Sequence, residues 1–176
     1  MEQEKSIFRD RLFWISLLIS GFILCLSLWY GFATDQAIYA YGAWVWKRFH
    51  LPPYIGAWDH NFPGIFIIHR LEMALFGESI FGFRAFDFLI QLGIVGMLFF
   101  VSRELAGNSI PALFASTFYS IYYIKDGFWG VGQRDGFIFF FLLLSLVLGI
   151  LLSRRIWQRA ILVGILLGFA FLIKPF

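Results

Sequence analysis

Pro63-Gly64-Ile65-Phe66-Ile67-Ile68-His69-Arg70-Leu71-Glu72-Met73-Ala74-Leu75-Phe76-Gly77 is the stretch on which the reading of this chain turns. It is apolar enough to be considered as a membrane span. Its roughly 15 residues reach only about 22 Å as a helix, short of a ~30 Å hydrocarbon core. His69, Arg70 and Glu72 also stand near its middle, and such groups are costly at the bilayer centre. If the segment crosses, every later loop changes sides, so the distribution of basic residues tests it. Short basic loops favour the cytoplasmic side, and the richest one, Ser153 to Arg159, holds Arg154, Arg155 and Arg159. With the N-terminus inside and 63–77 kept in the interface, that loop lies inside together with Arg103. Counting 63–77 as a crossing inverts these loops. The expectation is therefore about five spans, near 12–32, 83–102, 109–124, 136–152 and 160–176, each long enough to cross. They leave a long outer loop, 33–82, and a short one, 125–135.

Composition requires lipid as the solvent. The chain has 176 residues, of which 60% are hydrophobic and 22% aromatic, more apolar surface than a soluble domain of this size can hide. The fold class that follows is an all-α, polytopic transmembrane helix bundle with interfacial helices in the first outer loop. A formal charge of +3 without a basic stripe argues against nucleic acid as a partner. The single cysteine, Cys25, excludes an intramolecular disulfide and a cysteine metal cluster. Lys5, Arg9 and Arg11 precede the first apolar run, the pattern of an uncleaved signal anchor.

Within the long loop, Ile38, Tyr41, Val45 and Phe49 recur at helical spacing, and Tyr39, Trp44 and Trp46 supply rings favoured at the headgroup boundary. An interfacial helix over 36–49 is expected, stopped by Pro52 and Pro53, with Pro63 opening the next helix. Four polar positions then carry more than one reading each. Asp35 follows the first span, as a helix cap or as a carboxylate free for chemistry. Asp59 and His60 adjoin in Trp58-Asp59-His60-Asn61-Phe62-Pro63-Gly64, either closing a loop or offering oxygen and nitrogen donors to a divalent cation. Asp135, in Gly132-Gln133-Arg134-Asp135, caps a span, pairs with Arg134 or Lys125, or faces the same site. Lys174 snorkels or holds a phosphate. His50 and His69 lack neighbouring donors and read as structural.

Taken in order, the first span, Asp35-Gln36-Ala37-Ile38-Tyr39-Ala40, the aromatic helix, Trp58-Asp59-His60-Asn61-Phe62-Pro63-Gly64, Leu75-Phe76-Gly77, Phe83-Arg84, Gly132-Gln133-Arg134-Asp135 and Gly168-Phe169-Ala170-Phe171-Leu172-Ile173-Lys174-Pro175 resemble the N-terminal part of GT-C class integral-membrane glycosyltransferases. The nearest groups are the protein O-mannosyltransferase and aminoarabinose transferase families and their bacterial RgtA/B/C/D-like relatives. The resemblance covers nearly the entire chain, 1–176, and implies a truncated or partial protein, because family members usually continue through further spans. It implies a polyprenyl-phosphate sugar donor, a lipid, glycan or protein acceptor, and a site at the outer face of a bacterial plasma membrane. Carried over by position, Asp35 and Asp135 are the catalytic candidates, Asp59 the metal candidate for a possible divalent ion, and Tyr39, His60 and Lys174 the substrate-binding candidates. Gln36 departs from the second acid of the usual pair, Ile38 from an arginine of some relatives, and His60 from a lysine.

The alternatives are a non-catalytic membrane subunit or lipid-binding fragment, and a small transporter. Transport calls for polar groups near the midplane on broken helices, and Asp87 with Gln91 is the one pair of that kind. The inside N-terminus and interfacial 63–77 predict that, in a Cys25→Ser background, a cysteine at Ser79 is labelled from outside and one at Ser153 is not. Labelling of position 153 from outside overturns this topology.

Overall fold

The computed structural model describes residues 7–175. Seven α-helices occur among them: α1 (Arg11–Leu24), α2 (Thr34–Phe49), α3 (Gly64–Phe76), α4 (Ile80–Ala106), α5 (Ser109–Ile124), α6 (Arg134–Leu151) and α7 (Ile156–Ile173). Side chains supply several of their starts. Asp10 accepts from Leu12 N at 3.0 Å, Ser79 from Gly82 N at 2.9 Å and Asn108 from Ile110 N at 2.9 Å, satisfying N–H groups that the helix itself cannot. Pro63 precedes α3, and α2 ends at His50 with φ 58° just before the Pro52-Pro53 pair.

Four helical stretches are long and apolar enough to cross a membrane: Arg11–Trp29, which is α1 extended by a 3-10 segment, and α4, α6 and α7. α5, with 16 residues, is nearer 24 Å, yet it runs beside α1 and α4. Ser16 and Ser116 bring α1 and α5 close through an Oγ to Oγ contact of 2.6 Å, the use of small residues common in membrane packing. Phe13, Phe99 and Ala112 form a buried cluster among α1, α4 and α5.

The five long elements alternate in direction, and hydrogen bonds at their ends fix the order. At one end Asp10 accepts from Ser109 Oγ, and Arg103 Nε lies 3.9 Å from the same carboxylate. At the other end, hereafter the Asp35 end, the exit from α1 meets the start of α4 and the loop before α6 through Arg84. α3 begins and ends at this second end: the backbone at Gly64 lies so close to Leu172 at the end of α7 that a Cβ there would sit 2.5 Å from the Leu172 carbonyl oxygen. Its last residue, Phe76, is closely followed by the start of α4 at Ile80. α3 therefore does not traverse the bundle. Its polar residues are placed differently from the expectation. His69 and Glu72 point into the protein, 0% and 1% exposed, rather than toward interfacial water.

α2 forms a helix as expected, but its buried side is not the predicted stripe. Val45 is buried, whereas Ile38, Tyr41 and Phe49 are exposed; the side turned to the bundle carries Gln36, Tyr39, Ala40 and Ala43. One apolar face of α2 packs on protein and the other is exposed. The protein-facing core joins Tyr39, Ile65, Phe66, Phe83, Phe137 and Ile173.

The Asp35 end is held by a buried polar hub. Arg84, 0% exposed, donates from Nε to Tyr30 O at 3.1 Å, from Nη1 to Val131 O at 2.9 Å, and from Nη2 to Gln36 Oε1 at 2.9 Å and to Gly31 O. Gln36 Nε2 donates to Val131 O at 2.5 Å. One turn along α4, Asp87 accepts from Tyr123 Oη at 2.8 Å and from Gln91 Nε2 at 3.0 Å, while Tyr123 Oη accepts from Gly132 N at 2.7 Å. Gly132 has φ +75°, and a Cβ there would meet Arg84 Nη1 at 2.7 Å, so both the turn and the space require glycine. Asp87 and Gln91 are thus bound into a closed structural network, and the transporter reading loses its polar pair. Replacing Arg84 by Met strands the carbonyls of Tyr30, Gly31 and Val131, and is expected to destabilise the fold by on the order of 3 kcal/mol or more. Thermal unfolding in detergent, with Arg84→Lys falling between the two, checks this; an unchanged melting temperature would sink the hub.

Candidate active site

Asp35 stands in the first turn of α2 and is exposed. It does not cap the helix. The cap residue is Ala33, whose N–H donates to Gln36 Oε1 at 3.2 Å. The Asp35 carboxylate forms no hydrogen bond with another described residue, which leaves its lone pairs to solvent or ligand. Gln36, which departs from an expected second acid, ties three segments together. Its amide oxygen receives Arg84 and the Ala33 N–H, and its amide nitrogen reaches Val131. It therefore sets the position of the residue beside it.

Tyr39 lies one turn after Asp35 and is 4% exposed. Burial raises its phenol above the ordinary range, Arg134 pulls it down, and Asp35, Asp59 and Asp135 each push it up. Of these groups, Asp35 stands one turn before Tyr39 on α2, and Asp135 stands in the first turn of α6. Arg134 lies over the Tyr39 ring, 5.1 Å from its centroid, and donates to Asn61 Oδ1. It thereby ties the start of α6 to the loop before α3.

Asp59 is committed within its loop. Its Oδ1 accepts from Asn61 N at 2.8 Å and from Asn61 Nδ2 at 2.5 Å, and Tyr54 Oη donates to Asn61 O at 2.6 Å. The Asp59 side chain is 9% exposed and His60 84% exposed, with His60 Nδ1 3.7 Å from Asp59 Oδ1. His60 is thus largely open to solvent. Among the described residues no three His, Cys, Asp or Glu side chains gather to hold a metal ion. The Asn61 oxygen beside Asp59 is already taken by a guanidinium. This donor set does not make a metal cage.

Asp135 sits in the first turn of α6, where Gln133 is the cap residue. It pairs with neither Arg134 nor Lys125. Its partner is Lys174 at the end of α7, Nζ to Oδ1 2.9 Å, with both side chains substantially exposed. Lys125 lies instead 4.0 Å from Asp126.

Asp35, Tyr39, Asp59, Asp135 and Lys174 therefore share one end of the bundle, with His60 at its margin. Three further participants, Arg134, Asn61 and Arg84, do not stand out from sequence alone. Arg134 is visible there as the neighbour of Asp135, and Asn61 as the neighbour of His60, but nothing local reveals that they meet. The assembled chemistry is clear in outline: an open carboxylate for accepting a proton, a buried phenol that keeps its own, and two cations suited to a phosphate.

No curated protein and no solved structure matches the chain. Residues 59–176 match the family described as dolichyl-phosphate-mannose-protein mannosyltransferase. That span opens on Asp59 and includes Arg134, Asp135 and Lys174, while Asp35 and Tyr39 lie before it. Helices built to cross a membrane and a match over this length agree, and the chain belongs to the dolichyl-phosphate-mannose-protein mannosyltransferase family of GT-C membrane glycosyltransferases.

Proposed function

We propose that this chain carries part of a site transferring a sugar from a polyprenyl-phosphate donor to a hydroxyl of a lipid, glycan or protein acceptor. The reading rests above all on Arg134, which lies over the Tyr39 ring and donates to Asn61 in the Asp59 loop, with Asp35 one turn before Tyr39 on α2 and Asp135 beside Arg134 at the start of α6. Asp35 accepts the acceptor's hydroxyl proton as that oxygen bonds to the anomeric carbon. The bond from the anomeric carbon to the phosphate oxygen breaks, and its electron pair leaves on the lipid phosphate. Arg134 and Lys174 face that developing charge. Asp135 releases Lys174 to the phosphate in this scheme, and the buried Tyr39 phenol hydrogen-bonds the bound sugar. The distribution of basic residues between loops supports a site on the outer face of a bacterial plasma membrane.

Asp35→Asn keeps shape and removes basicity. It is expected to lower sugar transfer by about a hundredfold or more while membrane abundance stays near wild type, because Asp35 is not the α2 cap. The assay follows labelled sugar from donor lipid to acceptor in matched membranes, with the exposed Asp126→Asn as the control. Wild-type turnover in the Asp35 variant would remove Asp35 from the chemistry. Lys174→Met is expected to raise the donor concentration needed for half-maximal rate. Its effect on folding stays under about 1 kcal/mol because the pair with Asp135 is exposed. A fall in maximal rate with unchanged donor dependence would reject the phosphate role.

A further inference from the structure

Between α2, the last turns of α3 and the start of α4 lies a cavity of about 310 Å³, lined in part by Phe32, Ala40, Trp44, Glu72 and Met73. It is separate from the site around Tyr39. Ala37, Ala40, Tyr41 and Trp44 line the cavity, and at 100° per residue they lie roughly half a turn around α2 from Asp35 and Tyr39.

Glu72 is the unusual component. It is 1% exposed, and its Oε1 has no hydrogen-bond partner. The nearest basic group, His69 Nδ1, stands 3.7 Å from Oε2. His69 is fully buried and stacked 4.9 Å from Phe83. Burial holds its imidazole below the ordinary range, although Glu72 pulls the other way. At 3.7 Å the imidazole is beyond hydrogen-bond reach, so Glu72 Oε1 is left buried without a donor, where buried acceptors ordinarily have one. Lys47 does not serve, since its Nζ is taken by Glu78 at 2.9 Å and by Met73 O at 3.1 Å. Arg70 lies over the Trp46 ring instead.

The cavity therefore pairs an apolar and aromatic lining with a buried acceptor lacking a cationic donor, and the Lys47–Glu78 ion pair stands at its edge. We propose that it binds the headgroup of a membrane aminophospholipid, with the primary ammonium on Glu72. A primary ammonium supplies N–H donors to Glu72 Oε1. A choline headgroup has none. An anionic glycerol headgroup offers no cation.

The test is native mass spectrometry of the purified chain released from micelles holding equal amounts of dioleoyl phosphatidylethanolamine, phosphatidylcholine and phosphatidylglycerol. Phosphatidylethanolamine is expected to be retained about tenfold over the other two, and Glu72→Gln to remove that preference. Ala37→Trp, which fills the cavity from an exposed position of α2 without touching Glu72, is expected to do the same and decides the matter if the Glu72 variant does not fold. Equal retention of the three lipids, preference for phosphatidylglycerol, or preference surviving Ala37→Trp overturns the proposal. Displacement by soluble glycerophosphoethanolamine at matched concentration also overturns it, since the occupant would then come from solution rather than from the bilayer.

Discussion

A guanidinium withdrawn from both lipid and water can persist only if its N–H groups are matched, and Arg84 is matched by parts of the chain distant in sequence. Its partners are the carbonyls just after α1, the Gln36 amide at the start of α2 and the Val131 carbonyl before α6. The cost of burying the charge is met by several hydrogen bonds to oriented dipoles, which are stronger in a low-dielectric interior than in water. The same cost makes any arrangement with fewer partners unfavourable. The hub thus fixes where both loops at the Asp35 end can lie, and the candidate site inherits that placement. Asp35 adjoins Gln36, and Asp135 follows Val131 by about one helical turn.

A second consequence concerns the division of labour among ionisable groups. Those with complete partner sets, Arg84 and Asp87, lie along α4 inside the bundle and hold it together. Asp35 and the Asp135–Lys174 pair are open at the rim. An exposed ion pair contributes little to stability, so it can be broken by a ligand at small cost to the fold. Around Tyr39 the two classes meet, with a buried ring beneath accessible charges. Such a gradient from matched to unmatched groups suits a site that must stay rigid while exchanging charged molecules.

Much of the architecture is legible in the sequence because it follows from run length. Apolar stretches of span length and paired prolines announce the helices, and α3 is short enough to begin and end at one end of the bundle. What escapes are contacts across the fold. The side of α2 that packs on protein is marked by Ala40, Ala43 and Gln36, which hydrophobic periodicity passes over in favour of Ile38, Tyr41 and Phe49. Asp35 resembles a cap because capping is the commonest use of an aspartate before a helix, yet the backbone begins its turn earlier and Gln36 performs that service. Asp135 has two basic residues near it in sequence, and its partner is 39 residues away. Arg134 and Asn61 carry no local signal of meeting, since only the packing of two loops brings them together.

The Arg84 hub also bears on how this protein can drift. Three of the oxygens it grips belong to the main chain, at Tyr30, Gly31 and Val131, and a carbonyl is the same whatever side chain it accompanies. Residue identity at Tyr30 and Val131 is therefore weakly constrained by the hub, whereas the number of residues in each loop is not. Inserting or deleting a single residue between Val131 and α6, or between the end of α1 and Gln36, would move an oxygen out of reach. Spacing, more than composition, is what these loops must preserve, and it is a constraint that substitution patterns alone would leave unseen.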